Sequence, residues 1–139
     1  MGAMQISLTA LDVEWRRMEV IAENLANAGT ALDPTGGGYR PMQVVSGPKT
    51  NFSDLANITP DQLQGVEIVS LQPENVAPHQ VYEPQNPLAD VKGFVSYSGV
   101  DHAAEMLLMA KTSRIYEANI AAFNAARQMY GKALEIGKR

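Results

Sequence analysis

Asp101, His102 and Glu105 stand together in the sequence. At helical spacing, His102 and Glu105 form an i, i+3 pair able to hold a divalent cation. That constellation would make the chain a small metal-dependent hydrolase built around His102. The plainer reading is a capped, solvated helix start with acids at its positive end. The plainer reading is the stronger one, because the other histidine, His79, lies in a proline-rich stretch without ligand spacing. Ser/His/Asp chemistry would need a strained nucleophile turn such as G-x-S-x-G, and none is present. Gly36-Gly37-Gly38 runs into Tyr39-Arg40 and not Lys-Ser or Lys-Thr, so it reads as a flexible turn before a strand and not as a phosphate loop. The chain has no cysteine, which removes disulfides and thiolate metal sites. No catalytic group, metal or cofactor is expected.

The elements that would position such residues fall into three zones of a 139-residue chain. In residues 1–28, Met4, Leu8, Leu11, Trp15, Met18, Ala22 and Leu25 alternate steps of four and three, the a/d signature of a coiled-coil seam. Trp15 is then expected as a core residue of that seam, ahead of a role as an anchor facing a partner. Asp12 with Arg16, and Glu14 with Arg17, are spaced to pair on the outer surface, and Gly29 is expected to stop the helix. The opening Met-Gly-Ala-Met allows a true start at Met4 after a tag remnant.

Residues 29–99 hold all eight prolines and break the helical period. Short β-like runs at 40–45, 66–71, 80–83 and 93–97 are bounded by Pro, Gly or Asn. A helical turn could open at Thr59-Pro60-Asp61. Residues 100–139 contain no proline, and Asp101 is placed to cap a long helix. Leu108, Ile115, Ala122, Met129 and Ile136 recur every seven residues, beside a parallel row of Met109, Tyr116, Phe123 and Tyr130. A helix of ~36 residues would be ~54 Å long, far beyond the usual ~11–12 residues. Two adjacent heptad rows make a stripe too wide for one partner. One face is expected to meet the first helix and the other to meet neighbouring subunits.

Net charge is −4, without the basic face that nucleic-acid binding requires. No run approaches the ~18 apolar residues of a membrane span. The apolar residues near the start are interrupted by Asp12, Glu14 and Arg16, so no cleaved secretory signal is expected. The fold class is therefore α+β: long terminal helices pairing as a coiled coil around a Pro/Gly-rich, β-containing middle.

Ala22-Glu23-Asn24-Leu25-Ala26-Asn27-Ala28 resembles the N-L-A-N-A segment that ends the first helix of flagellar axial proteins, the rod, hook and related subunits. Val81-Tyr82-Glu83-Pro84-Gln85-Asn86-Pro87-Leu88-Ala89-Asp90 and Gly93-Phe94-Val95 are similar to the V-Y-x-P-x-N-P-x-A-D-x-x-G-Y-V run of the FlgC-type proximal rod branch. Val100-Asp101, Glu105-Met106, Arg114-Ile115-Tyr116-Glu117-Ala118-Asn119-Ile120 and Lys132-Ala133-Leu134 follow that branch in order and spacing, while residues 33–64 have no counterpart in it.

The resemblance implies a structural subunit of the proximal rod that polymerises through its terminal helices, with no enzymatic activity. It implies a periplasm-spanning location, export through the flagellar type III apparatus, and partners among copies of itself and other rod and basal-body proteins. Seam and resemblance together give a candidate packing interface. On the first helix it comprises Leu8, Leu11, Trp15, Met18, Asn24, Leu25 and Asn27; on the second, Leu108, Ile115, Tyr116, Asn119, Phe123, Met129 and Tyr130. Two asparagines bracketing Leu25 suggest polar contacts fixing register at a joint, beyond what local capping needs. The competing function is a soluble coiled-coil adaptor or chaperone of a type III secretion system.

Overall fold

The computed structural model describes residues 2–50 and 63–137. The turn expected at Thr59-Pro60-Asp61 lies outside the described residues. Helix α1 covers Gly2–Ala26 and helix α2 covers His102–Ile136. Between them come strands β1 (Met42–Pro48), β2 (Val66–Pro73), β3 (His79–Tyr82) and β4 (Phe94–Tyr97). Each β-like run of the sequence thus carries a strand, with ends displaced by up to three residues. The strands form two separate antiparallel pairs, β1–β2 and β3–β4. A register shift between Val45 and Ser46 bends the first pair.

Asp101 caps α2 as its type predicts, accepting from the Ala103 and Ala104 amides at 3.0 and 3.1 Å. The end of α1 differs from expectation. Gly29 does not adopt a left-handed conformation, and the helix stops three residues earlier. The Asn27 and Ala28 amides close the last turn on the Glu23 and Leu25 carbonyls, and the Asn27 side-chain amide donates to the Glu23 carbonyl at 2.8 Å. A side chain that can satisfy a loose carbonyl ends this helix without a glycine. The chain then runs beside β4, with the Leu32 amide on the Ser96 carbonyl at 2.7 Å and the Ser98 amide on the Thr30 carbonyl at 3.2 Å. These bonds tie the exit of α1 to the entry of α2.

The helices lie antiparallel. Asn24 meets Glu105, Met18 meets Ser113 and Trp15 meets Tyr116, so each step back along α1 is a step forward along α2. On its other side α1 carries the β1–β2 pair. Arg17 donates to the Ser46 hydroxyl, and Thr9 accepts from the Val66 amide. Gly65 makes the second contact possible. Its φ is +87°, and a Cβ there would lie 3.3 Å from the Ile6 Cα and against the Thr9 hydroxyl.

The core is small: Val13, Val20, Ile21, Leu32, Val44 and Val95 are its buried apolar residues among those described. This corrects the phase of the α1 seam. Leu8, Trp15 and Ala22 are exposed, while Ser7, Val13, Val20, Ile21 and Asn24 are buried. The sequence pattern marks the largest apolar residues. The most buried ones follow the strip of α1 beside Thr9 and Arg17, which bond to the β1–β2 pair. The surface pairs shift as well: Glu14 and Arg17 pair at 3.3 Å, but Arg16 bonds Glu19 and not Asp12.

Candidate helix-packing and assembly interface

Residues on α2 sort into two rows, as the doubled heptad implies. Met109, Tyr116, Asn119 and Phe123 are half-buried, in step with the fully buried Glu105 and Thr112. Their four-and-three spacing makes this row the one turned toward α1. The Trp15 and Tyr116 rings sit 6.2 Å apart and tilted by 49°, within the range of favourable aromatic pairs. The Met18 sulfur accepts from the Ser113 hydroxyl at 3.7 Å. The other row is progressively uncovered: Leu108 is half-buried, Ile115 is exposed, and Met129 and Ile136 are 66% and 76% exposed. Tyr130, assigned by period to the inner row, is also exposed, because α1 has ended by that point. Leu11, Met18 and Leu25 on α1 are half-buried. Trp15 is 55% exposed, which corrects its expected place in the core: it rests one edge on Tyr116 and turns the rest outward.

The two asparagines do different work. Asn24 is 1% exposed and uses its whole amide. Its Nδ2 donates to the Met42 carbonyl at 2.9 Å and to Glu105 Oε1 at 3.2 Å. Its Oδ1 accepts from the Tyr39 hydroxyl at 2.6 Å and the Met42 amide at 3.0 Å. One side chain thereby binds α1 to the loop, to β1 and to α2. Asn27 works locally: its Nδ2 bonds Glu23 and its Oδ1 accepts from Thr30, while its backbone carbonyl takes the Ser98 hydroxyl at 2.7 Å. Asn119 likewise bonds the Ile115 carbonyl of its own helix.

Glu105 is buried beside Asn24, and its Oε2 has no hydrogen-bond partner among the described residues. Burial raises its pKa, the Asn24 bond opposes the rise, and the charges of Glu74 and Asp101 add to it. Tyr39 is also raised, first by burial and then by Glu23, Glu105 and Glu74. His102 is exposed while Glu105 turns inward, so the i, i+3 pair is not brought together toward one ligand. His79 stacks on Tyr97 with ring centroids 5.5 Å apart. Sequence reasoning missed Tyr39, Ser98 and the burial of Glu105. Nothing marks them, because each matters through an atom contributed by a distant segment.

An antiparallel pair of long terminal helices joined by small β elements is the architecture that the resemblance to flagellar axial proteins implies. A family model described as Flagellar basal body rod FlgEFG protein C-terminal matches residues 91–136, all of α2 and the approach to it. Flagellar basal-body rod protein FlgC of Salmonella typhimurium is 37% identical over 139 residues, covering 99% of this chain and 98% of that one. The FlgC proteins of Bacillus subtilis and Borreliella burgdorferi are 32% and 31% identical, over 98% and 97% of this chain and 97% and 95% of theirs. The chain belongs to the FlgC family of flagellar basal-body rod proteins.

Proposed function

We propose that the chain is a structural subunit of the flagellar basal-body rod, not an enzyme, and that it polymerises through its terminal helices as part of a torque-transmitting shaft. The observation that carries the reading is the outward face of the helix pair. Leu8 and Trp15 on α1, Met106 and Leu107 at the start of α2, and Met129, Leu134 and Ile136 on the turns of α2 that run past α1 are all exposed. Isolated exposed apolar residues are ordinary, but large apolar side chains uncovered on both helices and at both ends of an α2 ~52 Å long mark interaction surfaces. Lateral packing against other rod and basal-body proteins and against copies of the chain would cover it. The four-and-three spacing of the inner α2 row supports a coiled coil with interlocking side chains. The fully bonded Asn24 supports a fixed angle between helix pair and β elements, which stiffness under torque requires. No helix among the described residues is long and apolar enough to cross a membrane. Delivery through the flagellar type III export apparatus fits the absence of cysteine, since an unfolded chain then has nothing to cross-link.

Sedimentation velocity and circular dichroism on purified protein, alone and mixed with candidate rod partners, test the reading. A monomer that gains mass and helix with partners is the expected result. A self-contained helical dimer indifferent to them would instead identify a coiled-coil adaptor.

A further inference from the structure

Two unsatisfied surfaces lie at opposite ends of the helix pair. The first is at the end of α2. The pairings of Asn24 with Glu105 and Trp15 with Tyr116, continued to Gly2, bring the start of α1 opposite roughly residue 129, so about two turns of α2, ~12 Å, run past it. Those turns carry Met129, Tyr130, Leu134 and Ile136, all exposed. Met129, Lys132 and Ile136 share one helical stripe, and Arg127 lies seven residues before Leu134 on the next.

The second surface is a groove of about 550 Å³ between the loop that follows α1 and the segment that leads into α2. Its walls come from the loop after α1, the link between β2 and β3, and the β3–β4 pair. Leu32, Val76, Leu88 and Phe94 supply the apolar lining, and Asp33, Glu74 and Asp90 outnumber Arg40 around it. A volume in the 300–1,000 Å³ range accommodates several side chains. The apolar end of α2 carries Arg127 and Lys132 against Glu135, so the two surfaces match in polarity and oppose in charge.

The groove reaches Gly99, just before the Asp101 cap of α2, and the overhang is the far end of that helix, ~50 Å away. No chain can fill its own groove. We propose that the overhanging end of α2 seats in the groove of a second copy, Met129, Tyr130, Leu134 and Ile136 entering it and Lys132 facing the acids. The contact is heterologous, joining one end of a subunit to the other end of the next. In the free protein the contact is a transient encounter that oxidation can trap; among copies held side by side in a rod it repeats without closure, as an open row and not a closed dimer. The biological setting rests on the rod-subunit reading; the contact itself does not.

The chain has no cysteine, so Leu134→Cys and Val76→Cys can be made singly, distinguished by a mass tag, mixed and mildly oxidised. The control partner is Val69→Cys on the exposed face of β2. The mixed disulfide between 134 and 76 is expected to form at least tenfold faster than that between 134 and 69. Glu74→Lys should reduce the rate severalfold, and Lys132→Glu in the other copy should restore it. Equal rates for the two pairs, or no response to charge reversal and its compensation, would overturn the proposal. The same oxidation on isolated basal bodies should link two copies of this chain. Chain present in the rod with position 134 linked only to a different protein would sink the second-copy occupant and leave the rod reading standing. Chain absent from the rod would sink that reading, and the rates on purified protein would still decide the contact.

Discussion

Replacing Asn24 with Leu removes the polar joint without opening a cavity, since the two side chains are similar in size. Four hydrogen bonds disappear, and their partners lose them inside the protein: the Tyr39 hydroxyl, both polar groups of the Met42 backbone, and Glu105 Oε1. A buried polar group left unpaired costs about 1–3 kcal/mol. Tyr39 and Met42 are half-buried and can recruit water, so only the low end applies to them. Glu105 then loses the one hydrogen bond its side chain makes among the described residues. Against these losses stands the gain of a buried apolar side chain, about 1.5–3 kcal/mol if complete. The net loss is about 3 kcal/mol. With a urea slope of about 1.5 kcal/mol per molar, reasonable for a chain of this size, the midpoint falls by about 2 M.

Asn27→Leu is the matched comparison, the same change three residues on. It removes one cap to Glu23 and one bond from Thr30, both at the surface, and should cost about 0.5–1 kcal/mol. Urea titration followed by circular dichroism, with unchanged slope as the condition for comparing midpoints, reads both variants. Equal costs, or a loss below about 1 kcal/mol for Asn24→Leu, would refute the assignment of Asn24 as the joint. Tyr39→Phe combined with Asn24→Leu should be clearly less than additive, because both remove the same 2.6 Å bond.

Glu105 gives a pH signature. Its folded pKa lies above the ordinary 4.5, so the folded state holds the proton more tightly. The corresponding stability is fully present below that ordinary value and is lost as pH rises through the folded one. Glu105→Gln should therefore raise the urea midpoint at pH 7, with the difference from wild type vanishing toward pH 4; an equal difference at both pH values would contradict it. Gly65→Ala should lower stability by at least about 2 kcal/mol, from left-handed strain and the clash with α1, and a near-neutral midpoint would count against the contact between α1 and the start of β2. Gly131 has open space where a Cβ would go, so Gly131→Ala should strengthen the end of α2 by about 0.5–1 kcal/mol. Amide exchange there should slow about two- to fivefold, and no slowing would mean that the end is not helical in the free chain. Trp15 fluorescence should shift to the blue when rod partners are added, and an unchanged spectrum on demonstrated binding would remove Trp15 from the interface.

The parts of this fold that depend on local chemistry were legible in the sequence. Asp101 capped its helix, four β-like runs became four strands, and a doubled heptad gave α2 an inner and an outer row. The parts that depend on which layers meet were not. The four-and-three pattern of α1 is equally consistent with several rotations of the helix. Leu8 and Trp15 won the assignment by size, whereas the β1–β2 pair decides burial by pressing on the neighbouring strip of Val13, Val20 and Asn24. A period fixes that a face exists, and only the second layer fixes which face it is.

The same distinction explains why Asn24 was detectable and Glu105 was not. An asparagine before the end of a helix is out of place by propensity, so its type signals a contact even when the partner is unknown. A glutamate in the first turn of a helix is where the macrodipole favours it, and nothing local separates a solvated one from one turned into the core. Glu105 is tied to Asn24 in the structure: it accepts the amide hydrogen that Asn24 has left once Met42 is bonded. The joint is thus assembled from one conspicuous residue and one inconspicuous one. A substitution at either should change the angle at which the helix pair leaves the β elements, and with it the placement of the apolar row that a neighbouring subunit would meet.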